Sequence, residues 1–292
     1  MKRFTTLFAL GVCLAAAAVA QAQEAMMGPP KVLTSIREVE KPGKGAAHAD
    51  WETGYPRAFS KAKWPSHYIA MRALTGEPRV LFFTGYDSLA AWEKDANAAD
   101  QNASLSADID RLDVKDGEFL TESRRAVLIY MPELSYHPEV TVKGTRYFMI
   151  VSIRVKPGHN DHFKEIRKMV KAAHEKANLS DHYAVFHFAL GAPAGSYVIF
   201  VPMKTAAELD QWDDLHGQSY KDALGEEGRK KLDEFAREGT ESTESQLFML
   251  SPKMSYPAKE WLDADPDFWA PKAATSAAAK PHAAKKEPEK KP

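Results

Sequence analysis

The stretch Pro132-Glu-Leu-Ser-Tyr136 returns as Pro252-Lys-Met-Ser-Tyr256, at an offset of 120 residues. Each copy follows a β-type run, residues 126–131 in the first case and 246–250 in the second. Shorter matches continue upstream at an offset of 115, where His67-Tyr68 matches His182-Tyr183. Such a steady offset indicates a tandem duplication of one domain of about 115–120 residues, which is an ordinary domain size.

The second copy shows the clearer order of elements. Its residues 146–155 are rich in β-branched and aromatic side chains, and Phe163, Ile166 and Val170 repeat with the spacing of one buried helical stripe. The predicted elements are a strand at 146–155, a helix at 162–177, strands at 182–190 and 197–201, helical segments at 205–212 and 226–237, and a strand at 245–250. This β-α-β-β-α-β order is that of a ferredoxin-like unit, an antiparallel sheet with two helices on one face.

The predicted strands are apolar on both faces. Side chains alternate along 146–155, so that Met149 and Val151 lie on one side and Phe148 and Ile150 on the other. A sheet with helices on only one face normally shows polar residues on the other. We therefore predict that both faces are buried, and that the two sheets of the duplicated chain pack against each other.

The predicted fold class is α+β, with two tandem ferredoxin-like repeats forming one barrel within the chain. Repeat 1 covers residues 31–140 and repeat 2 covers residues 145–256, so barrel closure needs no oligomer. An extension with a Lys/Ala/Pro-rich tail follows at 257–292, and its biased composition predicts disorder.

The first 22 residues have the features of a secretory signal peptide. Lys2 and Arg3 precede an apolar core, and Ala20-Gln21-Ala22 has the small-x-small form of a cleavage site. Cys13 lies inside that core, too early for a lipid anchor. We expect export to the periplasm or the extracellular space, and a mature chain without cysteine.

Charge and hydropathy argue against two classes of partner. The chain carries 39 basic and 40 acidic residues without a concentrated basic surface, so we expect no nucleic-acid partner. No apolar run after the signal reaches about 18 residues, so we expect no transmembrane segment.

In element order and duplication the chain resembles the dimeric α+β barrel proteins over about residues 31–256. That group includes NIPSNAP-like proteins, antibiotic-biosynthesis-type monooxygenases, EthD-like proteins and the haem-binding chlorite dismutase group. The resemblance implies a barrel with its helices outside and a ligand pocket between the sheet and the helices of one unit. It also makes haem a candidate cofactor.

Polar residues at interior positions are the candidates for that pocket. At the offset of 115, His174 matches Phe59 and Phe163 matches His48, so His174 takes an aromatic core position. Alternation puts His187 on the same strand face as Tyr183. We predict a site in the second unit; its candidate ligand-binding residues are His174, His187, Arg154, Tyr183 and Arg72. The alternatives are a core histidine bonded to a backbone carbonyl, and arginines that reach solvent at the strand ends.

Sequence motifs identify no reaction. His159 and His162 lack a third ligand, so no metal site is predicted there, and we find no phosphate-binding loop, nucleophile elbow or zinc-protease motif. The aromatic stripe Trp51, Tyr55 and Phe59 favours a protein that binds a small, mostly apolar ligand. The alternatives are a haem-dependent or cofactor-free oxygen-using enzyme, with His174 or His187 as axial ligand or base, and a structural or interaction protein.

Overall fold

The structure, a computed structural model, describes residues 26–211 and 217–270. The predicted signal peptide, Trp212 at the end of the predicted helical segment, and the tail from residue 271 lie outside the described residues. The strands are β1 (Met26–Met27), β2 (Val32–Glu40), β3 (Tyr68–Ala73), β4 (Arg79–Tyr86), β5 (Leu120–Tyr130), β6 (Val140–Thr141), β7 (Tyr147–Val155), β8 (Ala184–Leu190), β9 (Ser196–Met203) and β10 (Thr240–Leu250). The helices are α1 (Gly45–Trp51), α2 (Gly54–Lys61), α3 (Leu89–Gln101), α4 (Ala103–Asp116), α5 (Asn160–Ala177), α6 (Gln218–Glu238), α7 (Lys259–Ala264) and α8 (Pro266–Trp269).

Eight of the strands close into one antiparallel barrel. Its order is β10-β3-β4-β2-β5-β8-β9-β7, with β7 pairing back to β10. Within each half the order is that of a ferredoxin-like unit, and the last strand of each unit pairs with the second strand of the other. The predicted fold class, two ferredoxin-like units joined as an α+β barrel within the chain, is confirmed.

The repeated Pro-x-x-Ser-Tyr segments lie at the two seams between the units. Each forms a short 3-10 turn, Pro132–Leu134 or Pro252–Met254, directly after the last strand of its unit. The hydroxyl of Ser135 accepts a hydrogen bond from the backbone N–H of Val185, at 2.9 Å, and that of Ser255 accepts one from Ala70, at 2.8 Å. Each segment therefore fastens its own unit to the second strand of the other unit.

Alternation along the strands separates two kinds of core. Inward-facing residues such as Leu33, Phe148 and Phe186 fill the barrel. Outward-facing residues pack under the helices, among them Val185 and Ile199 in the second unit. This explains the apolar residues on both strand faces, since one face lines the barrel and the other is covered by helices.

The extension after repeat 2 closes part of one barrel end. Trp269 is 2% exposed and packs with the barrel core, and Trp261 lies against the same cluster. Asp265 holds the segment in place by accepting hydrogen bonds from the N–H of Gly144, at 2.9 Å, and pairing with Arg146, at 2.8 Å. Within the described ranges, the helices are all too short or too polar to cross a bilayer.

Helix boundaries differ from the predictions where local chemistry interrupts the pattern. The predicted helical segment at 205–212 forms only a 3-10 turn, Ala206–Gln211, within the described residues, although Glu208 does accept hydrogen bonds from two backbone N–H groups. The predicted helix at 226–237 extends back to Gln218 through a kink at Gly225, whose φ is +68°.

Candidate functional site

A cavity of about 600 Å³ lies between the sheet and the helices of the first unit. Its sheet side is lined by outward-facing residues of β2, β3 and β4, including Ile36 and Phe82. Tyr55 and Phe59 of α2, Trp92 of α3 and Ile109 of α4 line the opposite side. Of the predicted aromatic stripe, Trp51 does not line the cavity; its indole N–H donates to the carbonyl of Leu112 at 3.0 Å.

Four ionisable residues meet around one buried histidine beside this cavity, and we call them with His48 the His48 cluster. His48 is 0% exposed. Its Nε2 lies 3.2 Å from Glu38 Oε2, 3.3 Å from Asp116 Oδ1 and 3.6 Å from Glu52 Oε1. Its Nδ1 lies 3.0 Å from Glu40 Oε1. Glu38 and Glu52 also line the cavity, so the cluster presents carboxylates to whatever occupies it.

Three separate parts of the chain supply the cluster. Glu38 and Glu40 share the helix-facing side of β2 with Ile36, because side chains alternate. His48 and Glu52 lie one helical turn apart at α1 and its C-terminal cap. Asp116 is the last residue of α4, which runs past α1.

Burial and crowding perturb the ionisation of these groups. Burial opposes the charged form of His48, but the close carboxylates of Asp116, Glu38 and Glu40 outweigh it and raise the pKa of His48 to about 11. Burial, with repulsion from Glu38 and Asp116, raises the pKa of Glu52 to about 9. Burial also raises the pKa of Glu38 above its usual range. Removing these charged groups from water therefore costs free energy of folding.

The second unit has an apolar core at the matching place. Phe163, the counterpart of His48, packs with its ring centre 4.1 Å from that of Tyr197 and 6.0 Å from that of Phe235. All three are buried. At this one position the fold therefore holds a histidine among carboxylates in the first unit and a phenylalanine among aromatic rings in the second.

Two of the predicted site residues, His174 and Tyr183, do come together in the second unit. Their ring centres are 5.2 Å apart, because the Tyr183 side of β8 faces the helices. His174 Nδ1 lies 2.8 Å from the carbonyl oxygen of Val170, and its Nε2 lies 3.1 Å from Asp181 Oδ2. Both ring nitrogens thus face oxygen acceptors.

The other three candidates lie apart from this pair. His187 is on the same strand face as Tyr183 but four residues further along, about 13 Å away at the rise of a strand. Arg154 follows Phe148 and Ile150 on the opposite face of β7 and pairs with Glu241 at 3.2 Å. Arg72 belongs to the first unit, in register with Met249 of β10. The five candidates therefore do not form one site in the structure.

The predicted haem ligands do not fit that cofactor. An axial histidine needs a ring nitrogen directed into a cavity large enough for the macrocycle. The ring nitrogens of His174 face Val170 and Asp181, and neither His174 nor His187 lines the first-unit cavity. His48 is enclosed by carboxylates on both ring nitrogens.

A second cavity, of about 640 Å³, opens at the barrel end near the extension. Inward-facing Leu33, Phe148 and Phe200 line it together with Trp261 of α7. Its wall is largely apolar and it contains none of the cluster carboxylates. The first-unit cavity is therefore the one that combines aromatic walls with buried charge.

Comparison with known proteins gives structural but not sequence relatives. No protein-family model matches the chain, and no curated protein sequence matches it. A proposed monooxygenase from Fusobacterium nucleatum subsp. nucleatum superposes with a TM-score of 0.52 at 10% identity, over 77% of this chain and 94% of that one. An anthrone oxidase-like protein gives 0.51 at 14% identity, over 80% and 98%. A chlorite dismutase mutant from Candidatus Nitrospira defluvii gives 0.47 at 11%, over 77% and 93%. At such identities the first two likenesses concern the fold alone, and they agree with the α+β barrel described above.

Proposed function

We propose that this protein binds a small, mostly apolar molecule in the cavity between the sheet and helices of its first unit. The observation that carries the proposal is the cavity of about 600 Å³, a size typical of small-molecule sites. Aromatic side chains from α2, α3 and β4 form its walls, and Glu38 and Glu52 provide a polar end that would orient the ligand. The proposed site is thus in the first unit, whereas the exchange of Phe59 for His174 predicts the second.

Further support comes from an unsatisfied polar group in the wall. The hydroxyl of Tyr68 is buried without a hydrogen-bond partner, although Tyr68 lines the cavity and is only 9% exposed. A buried hydroxyl without a partner costs about 1–3 kcal/mol, which a ligand oxygen or nitrogen in the cavity would recover.

The test is mass spectrometry of small molecules that copurify with the protein, using one blocking variant and one matched control. Ile109→Trp places an indole in the cavity from α4. Val114→Trp makes the same change on the same helix, at a residue that is 79% exposed. We expect the bound molecule to be lost from Ile109→Trp and kept by Val114→Trp. An unchanged ligand content in a folded Ile109→Trp variant would remove the cavity from consideration.

A second candidate function is that of an oxygen-using enzyme. It is favoured by the two carboxylates at the end of an aromatic cavity, since a purely apolar binding site does not need them. The structural relatives include a proposed monooxygenase and an anthrone oxidase-like protein. Oxygen uptake on addition of anthrone, an aromatic ketone, provides the test. We expect uptake by the wild-type protein and none by Ile109→Trp; no uptake by either would leave the binding function alone.

We also propose that the protein is exported after cleavage near Ala22, on the basis of the signal-like first 22 residues. A closer relationship to NIPSNAP-like proteins within the barrel superfamily remains part of this proposal, supported by the tandem arrangement of the two units.

A further inference from the structure

We propose that the His48 cluster is a binding site for one divalent transition-metal ion, held by Nε2 of His48 and by carboxylate oxygens of Glu38, Glu52 and Asp116. This inference rests on the proposed binding function in one respect, because the ion would lie at the polar end of the same cavity. The ion itself binds to residues of the cluster, so its binding is measurable without any organic ligand.

The spacing of the donor atoms matches a coordination sphere. In a tetrahedral site with bonds of about 2.1 Å, neighbouring ligand atoms lie about 3.4 Å apart. The three distances from His48 Nε2 to the carboxylate oxygens are 3.2, 3.3 and 3.6 Å. One donor atom from each of the four residues lies within 4.8 Å of the others. Release of the Nε2 proton of His48, with small side-chain adjustments, would therefore place all four donors around one ion.

An unsatisfied atom points into this space. Asp116 is 4% exposed, and its Oδ1 has no hydrogen-bond partner although it lies 3.3 Å from His48 Nε2. A buried carboxylate oxygen without a hydrogen bond is costly unless a cation meets it. The Tyr68 hydroxyl, also buried and without a partner, lines the cavity that Glu38 and Glu52 share.

The remaining ring nitrogen of His48 is arranged as in metal sites. Its Nδ1 lies 3.0 Å from Glu40 Oε1, which fixes the ring and directs Nε2 toward the three carboxylates. A metal-bound histidine almost always has such a partner on its other nitrogen. Glu40 is thus a positioning residue.

The donor set selects the class of ion. Three carboxylates and one imidazole suit Mn²⁺, Fe²⁺ or Zn²⁺ better than soft Cu⁺, and the imidazole disfavours Mg²⁺ and Ca²⁺. Among the suitable ions, Zn²⁺ binds more tightly than Mn²⁺ in the usual order of stability. Zn²⁺ is therefore the appropriate probe.

The experiment is calorimetric titration of Zn²⁺ into the EDTA-treated protein, with circular dichroism to establish that each variant is folded. We expect one Zn²⁺ per chain. Glu40→Gln weakens the support of His48 and should lower the affinity about 10–100-fold, the range for loss of supporting groups. Asp116→Asn removes a ligand charge and should lower the affinity by at least as much. Asp110→Asn, an exposed change on the same helix as Asp116, should bind as the wild type does.

Two results would overturn the inference: no Zn²⁺ binding by the folded wild-type protein, or undiminished binding by folded Asp116→Asn and Glu40→Gln. The second would place the ion elsewhere, for example at His159 and His162. The Ile109→Trp variant separates this inference from the proposed function, because it should lose the small molecule and keep Zn²⁺. Zn²⁺ binding without any copurifying molecule would contradict only the binding function, and the converse would contradict only the metal site.

Discussion

Replacing Ser255 with alanine tests the role of the repeated segments in closing the barrel. Ser255 is 3% exposed, and its hydroxyl accepts a hydrogen bond from the buried Ala70 N–H, at 2.8 Å. Alanine would leave that N–H without an acceptor, which costs about 1–3 kcal/mol. Ser135→Ala should cost the same at the other seam, where the N–H of Val185 loses its acceptor.

The two seams share no hydrogen-bond partner, so the double variant should lose about 2–6 kcal/mol, the sum of the single effects. The free energy of unfolding of an ordinary domain is about 5–15 kcal/mol, so this loss would be a large fraction of the total. The assay is urea unfolding followed by circular dichroism, with Ser123→Ala on the exposed face of β5 as the control. The control should stay within about 0.5 kcal/mol of the wild type.

The same experiment tests whether the units unfold together. Each last strand pairs with the other unit, so loss of one unit would expose a barrel edge, and we expect a single transition. The idea that the repeated segments hold the two units together in one barrel would be refuted by either of two results. One is that both single variants are as stable as the wild type, and the other is that the wild-type protein unfolds in two separate transitions.

Three further outcomes are expected. Trp269→Ala, which empties part of the barrel end, should lower the free energy of unfolding by about 3–5 kcal/mol in the same urea assay; a smaller loss than 1 kcal/mol would mean that the extension is not part of the core. His174→Phe should lower it by about 1.5–3 kcal/mol through loss of the pair with Asp181, while the copurifying molecule is kept; loss of that molecule from a folded variant would return the site to the second unit. Amino-terminal sequencing of exported protein should begin near Gln23, and retention of Cys13 would disprove cleavage after Ala22.

The repeat and the alternation of apolar residues were sufficient to predict the architecture. An offset that stays near 115–120 residues indicates two copies of one unit, and strands such as β7 with apolar side chains on both faces require cover on both faces. The same alternation correctly placed Tyr183 beside Val185, and the structure shows that this face looks toward the helices. These features depend on local periodicity, which a single sequence shows directly.

The His48 cluster could not be recognised in the same way, because its members come from three distant segments. The alignment of the two copies does match His48 with Phe163, and it matches Phe59 with His174 in the reverse sense. Gly54 and Pro56, however, interrupt the helical pattern near His48. No buried face could be assigned there. Asp116 ends a helix that is mostly polar.

One signal was nevertheless present in β2. Alternation puts Glu38 and Glu40 on the same side as Ile36, which is the face that the helices cover. Glutamates on the covered face of a strand must be paired, protonated or bound to a cation. The apolar residues on both faces of β2 therefore mark these carboxylates as candidates in the sequence itself.

Comparison of the two copies shows which buried residues the fold itself requires. Replacing buried charges by well-packed apolar groups is often neutral or stabilising. The second unit shows such an arrangement, since Phe163, Tyr197 and Phe235 fill the matching place in the same β-α-β-β-α-β unit. Because Phe163 occupies the position of His48 in the second unit, the fold itself does not require a histidine with four carboxylates at that position. The His48 cluster is therefore better explained by what it binds beside the cavity than by what it contributes to folding.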